Sequence, residues 1–166
     1  MESPGRNIGV FYYLNMHNKL PPPTKCDNCS SSRMGLTSNS VLFGKERGNW
    51  PYCYYCDDCA AMVACHPNTN NPMGLMASSA IRRKRAKLHE VFDPVWEFKY
   101  LSRDDAYKWL AKELDLPSDI DCHIGLLNPT KLQQALDIMN AHSKNDYIQF
   151  KRRKEKKCSK TNSPIL

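Results

Sequence analysis

Residues 52–74 read YCYYCDDCAAMVACHPNTNNPMG, and residues 25–30 read KCDNCS. The spacing of the cysteines in these two stretches decides the fold. Upstream stands Cys26-x2-Cys29, and downstream Cys56 can pair with either Cys53 or Cys59, because it cannot belong to two separate pairs. A tight CxxC turn offers two thiolates from one backbone loop, and two such turns complete the tetrahedral shell that zinc prefers. Asp57 and Asp58 suit a turn, whereas Tyr54 and Tyr55 favour extended backbone, so the second pair is read as Cys56 and Cys59. The 26 residues between Cys29 and Cys56 leave room for a hairpin, the arrangement of a zinc ribbon. The expected metal ligands are therefore Cys26, Cys29, Cys56 and Cys59, around one structural zinc ion. Four thiolates leave no open position for a reacting water, so this metal would build structure and do no chemistry. Cys53 reads as a packed or spare thiol, and Cys65 and Cys122 as small buried hydrophobes.

A disulfide framework is the competing use of eight cysteines. The amino terminus, MESPGRNIGVFYYL, has neither the basic start nor the long apolar core of an export signal, and no apolar run is long enough to span a bilayer. The expectation is a soluble cytoplasmic protein with no membrane partner, a compartment where thiols stay reduced and cysteine pairs hold metal.

Outward from the cysteines, the expected architecture is α+β. An N-terminal zinc ribbon, a small antiparallel sheet with a four-cysteine site, packs on a C-terminal bundle of about three helices. Residues 1–25 form an extension closing on Pro21, Pro22 and Pro23, an extended spacer. Residues 26–76 form the ribbon. Within it, TSNSVLF (37–43) and WPYCYY (50–55) read as strands joined by a charged turn at 44–48, residues 30–35 as loop, and AAMVAC (60–65) as a third strand. HPNTNNPMG (66–74) is a loop with defined turns.

Residues 77–145 are read as the helical region. Ala77, Ile81, Leu88 and Phe92 fall on one face, and Asp93-Pro94 breaks the helix. Val95, Trp96, Phe98 and Tyr100 make an aromatic patch expected to pack under the helices. Ser102 with Asp105 caps a helix that buries Ala106, Trp109, Leu110 and Leu114. Asn128 and Pro129 start another, with Leu132, Ala135, Leu136 and Met139 on its stripe. Residues 146–166 read as a basic tail that is disordered until it meets a partner.

The net charge of +7 is localised: residues 82–87 (RRKRAK) carry +5 and residues 151–160 (KRRKEKKCSK) carry +6, leaving −4 elsewhere. A mildly acidic body with two basic patches points to nucleic acid, with Arg82, Arg83, Arg85 and Lys87 and the tail residues Lys151, Arg152, Arg153 and Lys154 as phosphate contacts. Trp50, Tyr52, Tyr54 or Tyr55 would stack on bases where exposed.

The strings CDDCAAMVACHPNTNNPMGLMA (56–77), RRKRAKLHEVFDPVW (82–96), SRDDAYKWLAKELDL (102–116) and CHIG (122–125) resemble a zinc-finger-containing domain of unknown function found in bacterial and bacteriophage proteins. The resemblance spans roughly residues 25–139. It implies that the second ligand pair lies just before the CHP loop, at Cys56 and Cys59, and that Cys53 and the tail are additions of this chain. It implies no activity.

The leading functional expectation is a non-enzymatic zinc-ribbon protein that binds nucleic acid or a nucleic-acid-associated protein, as a phage-encoded regulator in the host cytoplasm. One alternative is a small nuclease or phosphoesterase in which His66, His89 and His123 converge as acid and base. There is no recognisable catalytic spacing or compensating carboxylate cluster, and the bland reading of each histidine is a turn cap. Another alternative is a protein-interaction adaptor docking through the patch near Trp96.

Overall fold

The computed structural model describes residues 20–142 together with Gln149 and Arg152. Of the tail positions read as phosphate contacts, Lys151, Arg153 and Lys154 lie outside the described residues, whereas Arg152 is exposed. The chain divides into two compact units, Met1–Arg83 and Lys84–Leu166.

In the first unit, β1 (Met34–Ser38), β2 (Tyr52–Cys56) and β3 (Met62–Ala64) form an antiparallel sheet in the order β1-β2-β3. Met34 faces Cys56 and Ser38 faces Tyr52, while Cys53 faces Ala64 and Tyr55 faces Met62. Side chains alternate across a strand. One face therefore carries Tyr54, Cys56 and Val63, which join Cys26, Ala61, Cys65 and Met76 in a buried cluster. Cys53 lies on the opposite face and is fully buried.

The first strand is displaced from its expected place. It begins at Met34, inside the stretch read as loop, and Asn39–Phe43, read as strand, is a short helix, α1. Ser38 caps α1 by accepting from the Ser40 N–H, and Gly44, at φ 71°, closes it in the left-handed conformation that glycine adopts freely. The cause is tertiary. Asn39 is fully buried, and its amide donates to the Arg47 and Trp50 carbonyls at 2.8 and 2.7 Å while accepting from the Arg47 N–H at 3.3 Å. Its own N–H donates to the Pro51 carbonyl at 2.8 Å. One side chain thus organises the loop that returns the chain to β2.

Beyond β3 the chain doubles back. Met62 and Ala77 exchange backbone hydrogen bonds at 3.1 Å, Met73 donates to the Ala64 carbonyl at 2.8 Å, and Cys65 bridges to Pro72. Residues 62–77 therefore fold back as a finger whose first side, β3, is also bonded to β2 in the sheet, whose second side joins it by two isolated bridges, and whose tip lies at 66–71.

The remaining helices are α2 (Ser79–Phe92), which begins in the first unit, α3 (Pro94–Glu97), α4 (Arg103–Glu113) and α5 (Pro129–Ala141). Pro94 ends α2 because it has no N–H to continue the ladder, and it opens α3 at its first position. Ser102 caps α4 through the Asp105 N–H and Asn128 caps α5 through the Lys131 N–H, with Pro129 following. The second unit buries Leu88, Phe92, Val95, Leu110, Ile124 and Leu132. Phe92 stands edge-on to Trp96 at 4.9 Å and to Tyr107 at 5.1 Å.

The aromatic patch splits. Val95 is buried and Trp96 is held against Phe92, but Phe98 is 68% exposed at the rim of an open groove of about 310 Å³ shared with Val91, Tyr100 and Met139. The break at Asp93-Pro94 rotates Phe98 off the buried side, since α3 lasts only one turn. Phe92→Ala should therefore cost about 3–5 kcal/mol of stability by chemical denaturation, whereas Phe98→Ala should stay within about 0.5 kcal/mol. Equal losses for the two would contradict this packing.

Candidate metal centre

Two knuckles of nearly identical construction meet in the first unit. In CDNCSS (26–31) the Ser30 N–H donates to the Cys26 carbonyl and the Cys26 N–H to the Ser31 carbonyl, both at 2.8 Å. In CDDCAA (56–61) the Ala60 N–H donates to the Cys56 carbonyl and the Cys56 N–H to the Ala61 carbonyl, both at 2.9 Å. Each knuckle turns through a left-handed residue that is not glycine, Ser30 at φ 62° and Ala60 at φ 57°. For residues with a Cβ this conformation is unfavourable by roughly 1–2 kcal/mol, so both turns are held against local preference by what they surround.

The knuckles are tied to each other. The Asp57 N–H donates to the Arg33 carbonyl at 2.9 Å, Arg33 pairs with Asp58 at 3.2 Å, and the Ser31 hydroxyl donates to Asp58. Asp27 accepts from the Met76 N–H at 2.8 Å, anchoring the first knuckle to the finger.

At the centre, the sulfurs of Cys26 and Cys59 are 3.6 Å apart and those of Cys29 and Cys56 are 3.7 Å apart, with all four within 4.8 Å of one another. Zinc–sulfur bonds of about 2.3 Å in a tetrahedron put sulfurs about 3.8 Å apart, so the set fits one zinc ion without rearrangement. It is the one cluster of three or more potential ligands among the described residues. The chain belongs to the family of zinc-finger-containing domains. The family's model matches residues 22–142, which takes in both knuckles, the finger and all of the helices α2 to α5. No curated protein and no solved structure gave a significant match.

The zinc-finger domain thus holds one structural zinc ion, and the shell is closed. β2 separates the fifth cysteine from it: Cys53 is three residues from Cys56 on a strand of period two, so the two sulfurs leave opposite faces. Cys53 sits instead near the Arg82 charge, and burial raises its pKa. Cys65 is pushed up to about 11 by burial and by Cys53, and Cys122 to about 12 by burial and nearby Asp119 and Asp121, so both are inert thiols at neutral pH.

The remaining candidates have varied surroundings. Tyr54 is buried, with its hydroxyl on the Asn70 carbonyl at 3.0 Å, and Trp50 stands edge-on to Phe43, so of the four candidate base-stacking aromatics Tyr52, 44% exposed, offers the most open face. On α2, Arg83 and Lys87 are exposed, whereas Arg82 and Arg85 are half-buried and Lys84 donates to Gln133 at 2.8 Å. His66 is exposed on the finger of the first unit. In the second unit, His89 faces Asp93 at 3.1 Å, and His123 stacks on Tyr107 at 5.7 Å. Each of the last two has a local structural contact. Asn28, which sequence reasoning passed over as a turn residue, donates its side-chain amide to the Cys59 sulfur at 3.4 Å. The CDNC spacing carries the signal for it, since a polar residue just before the second cysteine of one knuckle can reach the other knuckle.

In the metal-free state burial pushes Cys26 up to about 12, against hydrogen bonds from the Asn28 and Cys29 amides. Burial acts the same way on Cys59, but hydrogen bonds from the Ala61 amide, Asn28, Cys29 and Cys26 outweigh it and bring Cys59 down to about 7. The Cys26 proton must therefore leave when zinc binds. Zinc affinity should rise with pH from about 6 to about 8 with protons released on binding, measured by calorimetry in buffers of different ionisation enthalpy. A flat profile would contradict the thiolate shell. Cys26→Ala should abolish stoichiometric zinc binding and unfold the sheet, whereas Cys53→Ala should keep one zinc per chain by elemental analysis.

Proposed function

We propose that this zinc-finger domain binds nucleic acid, with the metal centre as scaffold and the start of α2 as the phosphate-contacting element, acting in the cytoplasm of a bacterial or phage-infected cell. The observation that carries this reading is a run of five bases within six residues of α2, uninterrupted by an acidic residue. From Cys59 to His89 the chain contains no Asp or Glu, and its five Lys and Arg residues all fall within 82–87. A helical surface whose charges serve only solubility usually interleaves both signs, whereas the five bases of α2 stand together at 82–87 and its one acidic residue, Glu90, follows them.

The helix sorts these bases by exposure. Arg83 and Lys87 are four residues apart, on one face, exposed, and without an acidic partner among the described residues. Arg82 is partly withdrawn: burial and the neighbouring Arg83 lower its pKa, opposed by Cys53, and its Nε has no hydrogen-bond partner among the described residues. An arginine remains charged under these conditions, so Arg82 adds to the local potential from beneath the surface. The exposed Arg152 and the rest of the 151–160 run supply a second positive region.

Binding of this kind is driven by counterion release, so affinity falls steeply with salt. The double variant Arg83→Ala/Lys87→Ala should weaken binding to random-sequence nucleic acid uniformly and reduce the salt slope by about one to two, in titrations from about 50 to about 200 mM salt. Salt-independent affinity would sink the proposal.

A further inference from the structure

The four sulfurs of the metal centre are close in space but unlike in their surroundings. Cys26 and Cys56 are buried, Cys59 is half-buried and Cys29 is exposed. Their hydrogen bonds differ as well. The Cys26 sulfur accepts from the Asn28 and Cys29 N–H groups and the Cys59 sulfur from the Ala61 N–H and the Asn28 side-chain amide, whereas Ser31 supplies the one backbone donor on Cys29. Donors draw charge from a thiolate and lessen its nucleophilicity, so Cys29 is both the most accessible of these sulfurs and the least quieted. Across the centre, on the facing knuckle, the Cys56 sulfur stands 3.7 Å away. The cysteines outside the shell have no such access: Cys53, Cys65 and Cys122 are all fully buried.

We propose that Cys29 is an oxidative modification site, at which a small neutral hydroperoxide enters the zinc centre, with Cys56 as the thiolate that resolves the product. Zinc keeps Cys29 deprotonated at neutral pH, and thiolate character together with exposure is what makes a cysteine susceptible to oxidation. The class of oxidant follows from charge. Four thiolates around a dication are net negative, and the exposed Asp57 and Asp58 add to that field, so an uncharged reagent approaches where an anionic one is repelled. In the first step the Cys29 sulfur attacks one peroxide oxygen: an S–O bond forms, the O–O bond breaks, and the departing hydroxide takes a proton to become water. Cys29 is oxidised by two electrons to the sulfenic acid, and the peroxide is reduced. In the second step the Cys56 thiolate attacks the Cys29 sulfur: the S–S bond forms, the S–O bond breaks, and a second hydroxide leaves as water after protonation. Cys59 and Cys26, each holding two donors, are the poorer nucleophiles for this step. The bonds that tie the knuckles, from the Asp57 N–H to the Arg33 carbonyl and from the Ser31 hydroxyl to Asp58, use no sulfur and keep Cys29 and Cys56 opposed while the disulfide closes. The chain then lacks two of its four zinc ligands, and zinc is released until a thiol reductant restores them.

The test treats the full zinc-loaded chain with hydrogen peroxide, follows zinc release with a chromogenic chelator, and traps sulfenic acids with dimedone for peptide mapping. The expected result is first label at Cys29, then a Cys29–Cys56 disulfide, with one zinc lost per disulfide formed and regained after a dithiol reductant. Cys29→His keeps a fourth zinc ligand but offers no sulfur, so that variant should hold zinc by elemental analysis and lose most of the release at the same dose. Asn28→Ala removes a donor from Cys59 and should move part of the label there. First label at another of the four ligands, a Cys29 disulfide to any other cysteine, or zinc retained and its ligands still reduced in excess hydrogen peroxide overturns the proposal. Should Cys29→His fail to hold zinc, the labelling and disulfide map of the parent chain decide alone.

Discussion

Four sulfur atoms within 4.8 Å of one another are a poor arrangement for a protein interior unless a cation sits among them. As thiols they waste a buried space on weak hydrogen bonds, and as thiolates they repel; burial that drives Cys26 up to about 12 expresses that conflict. Zinc resolves it, because each thiolate gains a metal bond in place of a proton. The rest of the first unit hangs on that exchange. The two knuckles turn through left-handed Ser30 and Ala60, β2 ends at one ligand, and β1 is registered against it with Met34 opposite Cys56. The buried cluster of the sheet includes Cys26 and Cys56 themselves. A three-stranded sheet of this size has little apolar surface to bury, so metal binding supplies much of its folding free energy.

The second unit is built by other means. Its core is large side chains, Phe92 and Leu110 among them, and its helices are delimited by Ser102, Asn128 and two prolines. Among the described residues no cluster of potential metal ligands lies there. Lys131 adds a cationic cap by donating to the Leu114 carbonyl at the end of α4, a favourable charge at the negative end of the helix dipole. The chain therefore joins two strategies of stabilisation across one helix, α2, and the basic residues at issue lie at that junction. Among the described residues no helix is long and apolar enough to cross a membrane.

With four thiolates the zinc shell is closed, so the metal's part is to hold the surrounding backbone still. The finger is the element most directly held, through Asp27 to Met76 and through Tyr54 to Asn70.

Much of this was legible in the residues alone. The metal ligands, the caps at Ser102 and Asn128 and the break at Asp93-Pro94 depend on chemistry local to a few positions, and such chemistry survives in any context. The position of β1, the helix at Asn39–Phe43, the exposure of Phe98 and the partial burial of Arg82 depend on partners distant in sequence. A TSNSVLF string has strand-forming residues at its end, but the bonds from Asn39 to Arg47, Trp50 and Pro51 outweigh that preference. Sequence by itself determined that two cysteine pairs would meet around zinc, because only their spacing and softness mattered. The tertiary structure alone decided which face Cys53 would take, which arginines stay in water and that residues 62–77 form a finger, because burial and cross-strand pairing are properties of neighbours the chain meets only on folding.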